Sequence, residues 1–278
     1  MLKIIFIFLI ILLPNTAFSE SIMVEPTQGV DITALQCFNK GNGSIELELY
    51  NEAIENYTKA INIDPKYADA YYSRGWVYGI KGLVDKQIED YSKVIEINPK
   101  HPEAYNNRGI IYGKKGLFEK AITDFTKAIE LNPKYEDAYN NRGIVYIRKR
   151  LFDKAIDDYT KAIEMNPRFA QTYYNRGNAY DEMKLFDKAI EDYTKAIRIQ
   201  PKLEQAYFNR GNSYRERRIF DKAIKDYSKA IQIDPQNAEA YSNRGYVLEN
   251  KGLFDKAIKD YSKAIPEFFS EFDLTQTI

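Results

Sequence analysis

Residues 102–135 read PEAYNNRGIIYGKKGLFEKAITDFTKAIELNPKY, and residues 136–169 read EDAYNNRGIVYIRKRLFDKAIDDYTKAIEMNPRF. Laid over each other, the two stretches share one block around Ala-Tyr-Asn-Asn-Arg-Gly-Ile and a second around Lys-Ala-Ile and Asn-Pro. The same step of 34 runs outward in both directions. It carries Pro65, Pro99, Pro133, Pro167, Pro201 and Pro235, and also Gly41, Gly75, Gly109, Gly143, Gly177, Gly211 and Gly245. Arg74, Arg108, Arg142, Arg176, Arg210 and Arg244 keep it, as do Tyr71, Tyr105, Tyr139, Tyr173, Tyr207 and Tyr241. Four residue types on one grid are not composition by chance. A fixed period in the range of about 20–50 residues marks stacked structural units, none of which buries a core alone.

With Ala68 as position 1, apolar or small residues fall at positions 3, 4, 8 and 11, as in Ala104, Tyr105, Gly109 and Tyr112. A second set falls at 17, 20, 21, 24, 27 and 28, as in Phe118, Ala121, Ile122, Phe125, Ala128 and Ile129. Offsets of three, four and seven place each set on one face of a helix, so every unit holds two helices. Gly82, Gly116 and Gly252 sit where the first helix must end, and glycine takes the left-handed conformation such an end uses. Arg150, Lys184 and Arg218 occupy that position in other units and are expected to cost about 1 kcal/mol each there. Asp153, Asp187, Asp221 and Asp255 open second helices, where the N-terminal dipole favours an acid. Asn-Pro or Asp-Pro closes them, because proline cannot continue a helix. Gly109, Ala121 and Ala128 let the backbones approach, and Tyr105, Tyr112 and Phe125 fill the space around them.

The pattern resembles the tetratricopeptide repeat, whose period and Gly, Tyr, Ala, aromatic and Pro order it reproduces over residues 34–265. The units are 34–67, 68–101, 102–135, 136–169, 170–203, 204–237 and 238–265. In the first unit Cys37, Asn42 and Ser44 depart from the pattern, and the last lacks its closing proline, as terminal units of a repeat array do. The resemblance implies an all-α solenoid of antiparallel helix pairs wound into a right-handed superhelix. It also implies a concave groove lined by positions 2, 5, 9, 12 and 13 of the first helices.

Lysine plus arginine and aspartate plus glutamate are each 40, for zero net charge. That balance argues against nucleic-acid binding. One histidine, His101, and one cysteine, Cys37, exclude a histidine metal cluster and an internal disulfide framework. No catalytic, cofactor or metal site is legible: phosphate loops and nucleophile elbows are absent, and the carboxylates follow the repeat grid. His101 reads as an ordinary exposed loop residue, and Cys37 as a small packing residue. Arginine at position 7 recurs with aspartate at position 23: Asp90, Asp124, Asp158, Asp192, Asp226 and Asp260. It reads as an internal ladder, with an anion-binding arginine stripe as the alternative.

The groove set is the candidate site. Position 9 supplies Trp76, Ile110, Ile144, Asn178 and Asn212, and position 5 supplies Tyr72, Asn106, Asn140, Tyr174 and Phe208. Asn107, Asn141 and Asn175 stand beside them at position 6. The asparagines would hydrogen-bond an extended backbone, and Trp76, Ile110 and Ile144 would meet apolar side chains. Burial against neighbouring helices is the competing reading. The family's carboxylate clamp needs cations at positions 2, 5 and 6, whereas position 2 holds Asp69, Glu103, Asp137, Gln171, Gln205 and Glu239.

Met1-Leu2-Lys3, the apolar run of residues 4–13 and the small Ala17 and Ser19 read as a signal peptide over residues 1–19, with residues 20–33 a linker. The run is too short for a comfortable span, so no membrane anchor is expected after cleavage. Residues 266–278, with Phe268, Phe269, Phe272 and Leu274 among acids, read as a tail that caps the last unit, the alternative being pairing with another chain. Together these features predict an exported, periplasmic or secreted, non-enzymatic scaffold binding a protein or peptide, with envelope assembly a fitting role. A secreted factor acting on neighbouring or host cells and an accessory module of an enzyme complex are the rival readings.

Overall fold

The computed structural model describes residues 31–264. The leader, most of the linker and the C-terminal tail therefore lie outside the described residues. The described chain is all-α, with helices α1 (Ile32–Glu46), α2 (Tyr50–Ile63), α3 (Ala68–Ile80), α4 (Val84–Ile97), α5 (Pro102–Lys114), α6 (Phe118–Leu131) and α7 (Glu136–Arg148). Then come α8 (Phe152–Met165), α9 (Ala170–Glu182), α10 (Phe186–Ile199), α11 (Glu204–Glu216), α12 (Phe220–Ile233), α13 (Ala238–Asn250) and α14 (Phe254–Ala264). Helix α1 starts inside the stretch read as linker, because Asp31 caps it by accepting the Thr33 N–H at 2.7 Å. Among the described residues no helix is long and apolar enough to cross a membrane.

The chain forms two compact units, one ending at Val145 and the other beginning at Tyr146, within α7. In each, odd-numbered and even-numbered helices pair as the two halves of a repeat. The turn between them is set at position 15. Gly82, Gly116 and Gly252 have φ of 70–74°, and Arg150, Lys184 and Arg218 are held at 57–61° in the same left-handed region. The next residue's N–H reaches back five residues, as from Leu117 to the Tyr112 carbonyl at 2.8 Å, which satisfies a carbonyl the helix end leaves open. A side chain pays a steric penalty in this conformation that glycine avoids. Lys184→Gly is therefore expected to raise stability by about 0.5–1 kcal/mol, the usual size of such a backbone effect. Urea denaturation checks this: the midpoint should rise with the slope unchanged.

The closing Asn-Pro and Asp-Pro pairs contain a second device. Asp64, Asn98, Asn132, Asn166 and Asp234 each accept, through the side chain, the backbone N–H two residues on, at 2.9–3.2 Å. Proline stops the helix, and the acid or amide before it turns the chain toward the next repeat.

The core is built on the contact between position 8 and position 24. Tyr57, Tyr91, Phe125, Tyr159, Tyr193 and Tyr227 are at most 1% exposed. A Cβ added at Gly41, Gly109, Gly177 or Gly211 would come within 2.5–2.9 Å of the aromatic ring sixteen residues later. The glycines are the floor on which those rings lie.

Candidate functional site

The position-7 arginines settle first, because they decide which surfaces are free. Arg74, Arg108, Arg176, Arg210 and Arg244 each grip the aspartate sixteen residues later through Nε and Nη2, at 2.7–2.9 Å. These are bidentate, charge-assisted pairs, with the aspartates 2–5% exposed. Nη1 of each reaches the other way, to the hydroxyl sixteen residues earlier: Thr58, Ser92, Thr160, Thr194 or Ser228, at 2.8–3.0 Å. Arg142 makes the same reach to Thr126 at 2.9 Å. The guanidinium also lies within 6 Å of tyrosine rings at positions 4 and 11, such as Tyr207 and Tyr214 beside Arg210. The arginines are thus internal joints between successive repeats and not an anion-binding stripe. The ladder to aspartate was legible in the sequence; the second bond, to a serine or threonine of the preceding repeat, was not read. Its signal was there, in a hydroxyl at position 25 of every unit.

Lysines and arginines at the turns also reach back one repeat. Lys115 meets Asp85 at 2.9 Å, Arg217 meets Asp187 at 2.6 Å, and Lys251 bonds Asp221. These pairs are exposed and contribute little stability.

In the unit ending at Val145, the first-helix face carries Tyr72, Trp76, Ile110 and Ile144, all half-buried. Trp76 packs on the core cluster around Phe38 and Tyr57, and Ile110 on the cluster around Phe125. Tyr72 accepts from Asn107 Nδ2 at 2.9 Å and stacks on the His101 ring, with centroids 5.0 Å apart. Asn106, Asn107, Asn140 and Asn141 are 3–7% exposed. Asn141 Nδ2 donates to Asn106 Oδ1 at 3.1 Å, so these amides hydrogen-bond from one repeat to the next.

His101 is not the exposed loop residue that the sequence suggested. It is the N-cap of α5, its side chain is half-buried against Tyr72, and Nδ1 accepts the Ala104 N–H at 3.3 Å. The same nitrogen is 3.0 Å from Glu103 Oε2. The His101 ring beside it holds the Glu103 carboxyl below its ordinary range. Burial pushes Asp69 and Asp137 above theirs. Cys37 is a free, half-buried thiol packed on the first core cluster.

In the unit beginning at Tyr146, position 9 is polar in the repeats 170–203 and 204–237 and is the exposed Tyr246 in the last. Asn178 is 6% exposed and accepts from Tyr193 Oη at 2.8 Å and from Asn209 Nδ2 at 2.9 Å. Asn212 repeats this with Tyr227 and Asn243 at 2.8 and 3.0 Å. Tyr174 accepts from Asn209 at 3.1 Å, Asn175 accepts from Gln171 at 3.0 Å, and Phe208 is buried with its ring 6.0 Å from that of Tyr227. Asparagine at position 9 therefore satisfies the buried phenol of position 24. Where position 9 is Ile110, position 24 is Phe125, which has no hydroxyl to satisfy, but Trp76 and Ile144 stand in repeats whose position 24 is the buried Tyr91 and Tyr159. Among the described residues no group of histidine, cysteine and carboxylate side chains could hold a metal ion.

Two family models match the chain: one described as the tetratricopeptide repeat over residues 102–135, 136–169 and 170–203, the other as the TPR repeat over 41–82, 80–116 and 211–252. No protein of curated function matches it. Among solved structures, the chain is similar to the MamA protein, with 32% identity, 62% of this chain and 94% of that one covered, and a TM-score of 0.57. YrrB, described as a TPR protein with an unusual peptide-binding site, is 24% identical over 66% of this chain and 95% of its own, with a TM-score of 0.58. A tetratricopeptide repeat protein of Parabacteroides merdae covers more, 87% of this chain and 94% of its own, at 19% identity and a TM-score of 0.65. The last two show the fold alone.

Proposed function

The chain belongs to the tetratricopeptide repeat family, a fold of protein-interaction scaffolds, and from that premise we propose that it is an exported, non-enzymatic scaffold holding a protein or peptide segment on its first-helix faces. The observation that carries this reading is the row Trp76, Ile110 and Ile144, at one position of three successive repeats. All three keep part of an apolar side chain open where the corresponding residues of the next two repeats are Asn178 and Asn212. Open apolar surface repeated along one face suits a binding surface better than an inert one. Export rests on the leader-like residues 1–19, and a periplasmic role in envelope assembly is the setting that fits it. The buried asparagines support the face by fixing Tyr72 and the repeat-to-repeat register, while Tyr72, Tyr174, Asn175 and Asn212 retain accessible surface on it.

Photo-cross-linking in living cells tests the reading. With p-benzoylphenylalanine in place of Ile110, discrete adducts to another protein are expected in the exported fraction. The same probe in place of the exposed Glu130, on a second helix, should give none. Equal adducts from both positions, or none from Ile110, would defeat it.

A further inference from the structure

We propose that the first-helix face of the unit ending at Val145 is selective for a basic segment of a protein, one carrying both cationic and apolar side chains. This rests on the reading of that face as a binding surface and adds the chemistry of its partner.

Helices α3, α5 and α7 each carry a carboxylate at position 2: Asp69, Glu103 and Asp137. Each carries an apolar residue seven positions later: Trp76, Ile110 and Ile144. Seven residues are two helical turns, so the carboxylate and the apolar side chain share a face about 10 Å apart along the axis. Repeated over three helices, this gives an acidic edge beside an apolar belt.

The edge lacks a permanent counter-charge. Among the described residues, no lysine or arginine pairs with Asp69, Glu103 or Asp137; Glu103 meets only His101, which also lies close enough to influence Asp69. Lys66, Lys100 and Lys134 in the preceding loops are exposed and pair with none of them, and Lys114 stands at the far end of α5. Acids in a first helical turn have a ready explanation in the helix dipole, which would hold them below their ordinary range. Asp69 and Asp137 are shifted upward by burial instead. A half-buried carboxylate without a cation is an unfavourable state that an incoming lysine or arginine relieves. The repeats 170–203 and 204–237 offer the contrast: position 2 is Gln171 and Gln205 and position 9 is Asn178 and Asn212, so acid and apolar side chain are both missing there, and the pairing returns only singly, as Glu239 with Tyr246 in the last repeat.

The protein carries its own probe, since Trp76 is the single tryptophan and lies on the belt. The purified protein would be titrated with three synthetic peptides sharing an isoleucine pattern, the remaining positions being lysine, glutamate or serine. The lysine peptide should shift Trp76 emission with at least tenfold higher affinity than the others, an advantage that shrinks as salt rises. The combined D69N, E103Q and D137N variant should lose at least tenfold of that affinity, and D69N alone part of it. Free variants should keep the wild-type Trp76 emission. Removing the same number of exposed acids elsewhere, with E55Q, E96Q and E130Q, should leave the affinity unchanged. Equal responses to all three peptides would overturn the cationic preference and leave the binding face standing. If no peptide moves Trp76 emission, both readings fall together.

Discussion

Replacing Arg210 with leucine should destabilise the protein by about 3–5 kcal/mol, the range for stripping one partner from a buried ion pair. Asp226 is 4% exposed and receives both Nε and Nη2 of Arg210, at 2.7 and 2.8 Å. With the guanidinium gone it has neither water nor a cation. The variant also severs the bond to Thr194 at 2.8 Å, so the damage reaches the preceding repeat. The decisive measurement is a double-mutant cycle. Arg210→Leu combined with Asp226→Leu should lose less than the two single losses added together, giving a coupling of about 0.5–3 kcal/mol. Arg210→Lys separates charge from geometry: the cation stays but the fork does not, and stability should still fall. Strict additivity of the leucine variants in chemical denaturation would sink the account.

Gly177→Ala should destabilise by about 1–3 kcal/mol, the usual penalty for overpacking a filled core. The new Cβ would lie 2.7 Å from Tyr193 Cε1. The ring cannot slide away, because Tyr193 Oη is tied to Asn178 at 2.8 Å. The substitution is informative because alanine is the better helix former by about 0.8–1 kcal/mol, so propensity alone predicts the opposite sign. Gly43 supplies the control. It also lies within a helix, and its Cβ would meet nothing within 4 Å. Gly43→Ala should therefore gain up to about 1 kcal/mol. Thermal melts of the two variants moving in opposite directions would confirm that contact decides; both moving upward would refute it.

What the sequence disclosed and what it withheld follow one physical line. Contacts within a repeat recur at fixed offsets from each landmark, so the paired helices, the left-handed turns at Arg150, Lys184 and Arg218, and the arginine–aspartate ladder were all readable as periodicity. Contacts between repeats were not, because a residue type that recurs everywhere gives no hint of which neighbour it serves. Thr58 and Asp90 stand sixteen residues to either side of Arg74, and only the fold shows that the arginine holds both. The same limit governed the face. Trp76, Ile110 and Ile144 were placed there from helical angle alone, whereas the hydrogen bond from Asn141 to Asn106 spans 35 residues and had no sequence signature of its own. His101 reads as a plain loop residue because it is the single histidine, so its cap on the Ala104 N–H and its stacking on Tyr72 recur nowhere on the grid.

The joint at the arginine has a genetic consequence. Each of the five repeats from residue 68 to residue 237 carries both halves of it, an arginine that reaches backward and a hydroxyl that waits for the next arginine. Any such repeat can therefore follow any other. Unequal crossing-over that adds or removes coding blocks in phase with 34 residues leaves every joint matched, so the array can lengthen or shorten without passing through a product that fails to fold. Mutation then has a free hand at positions 2, 5 and 9, which differ from repeat to repeat in this chain, while the arginine and its hydroxyl stay constant. Inheritance of the frame is thereby separated from diversification of the surface.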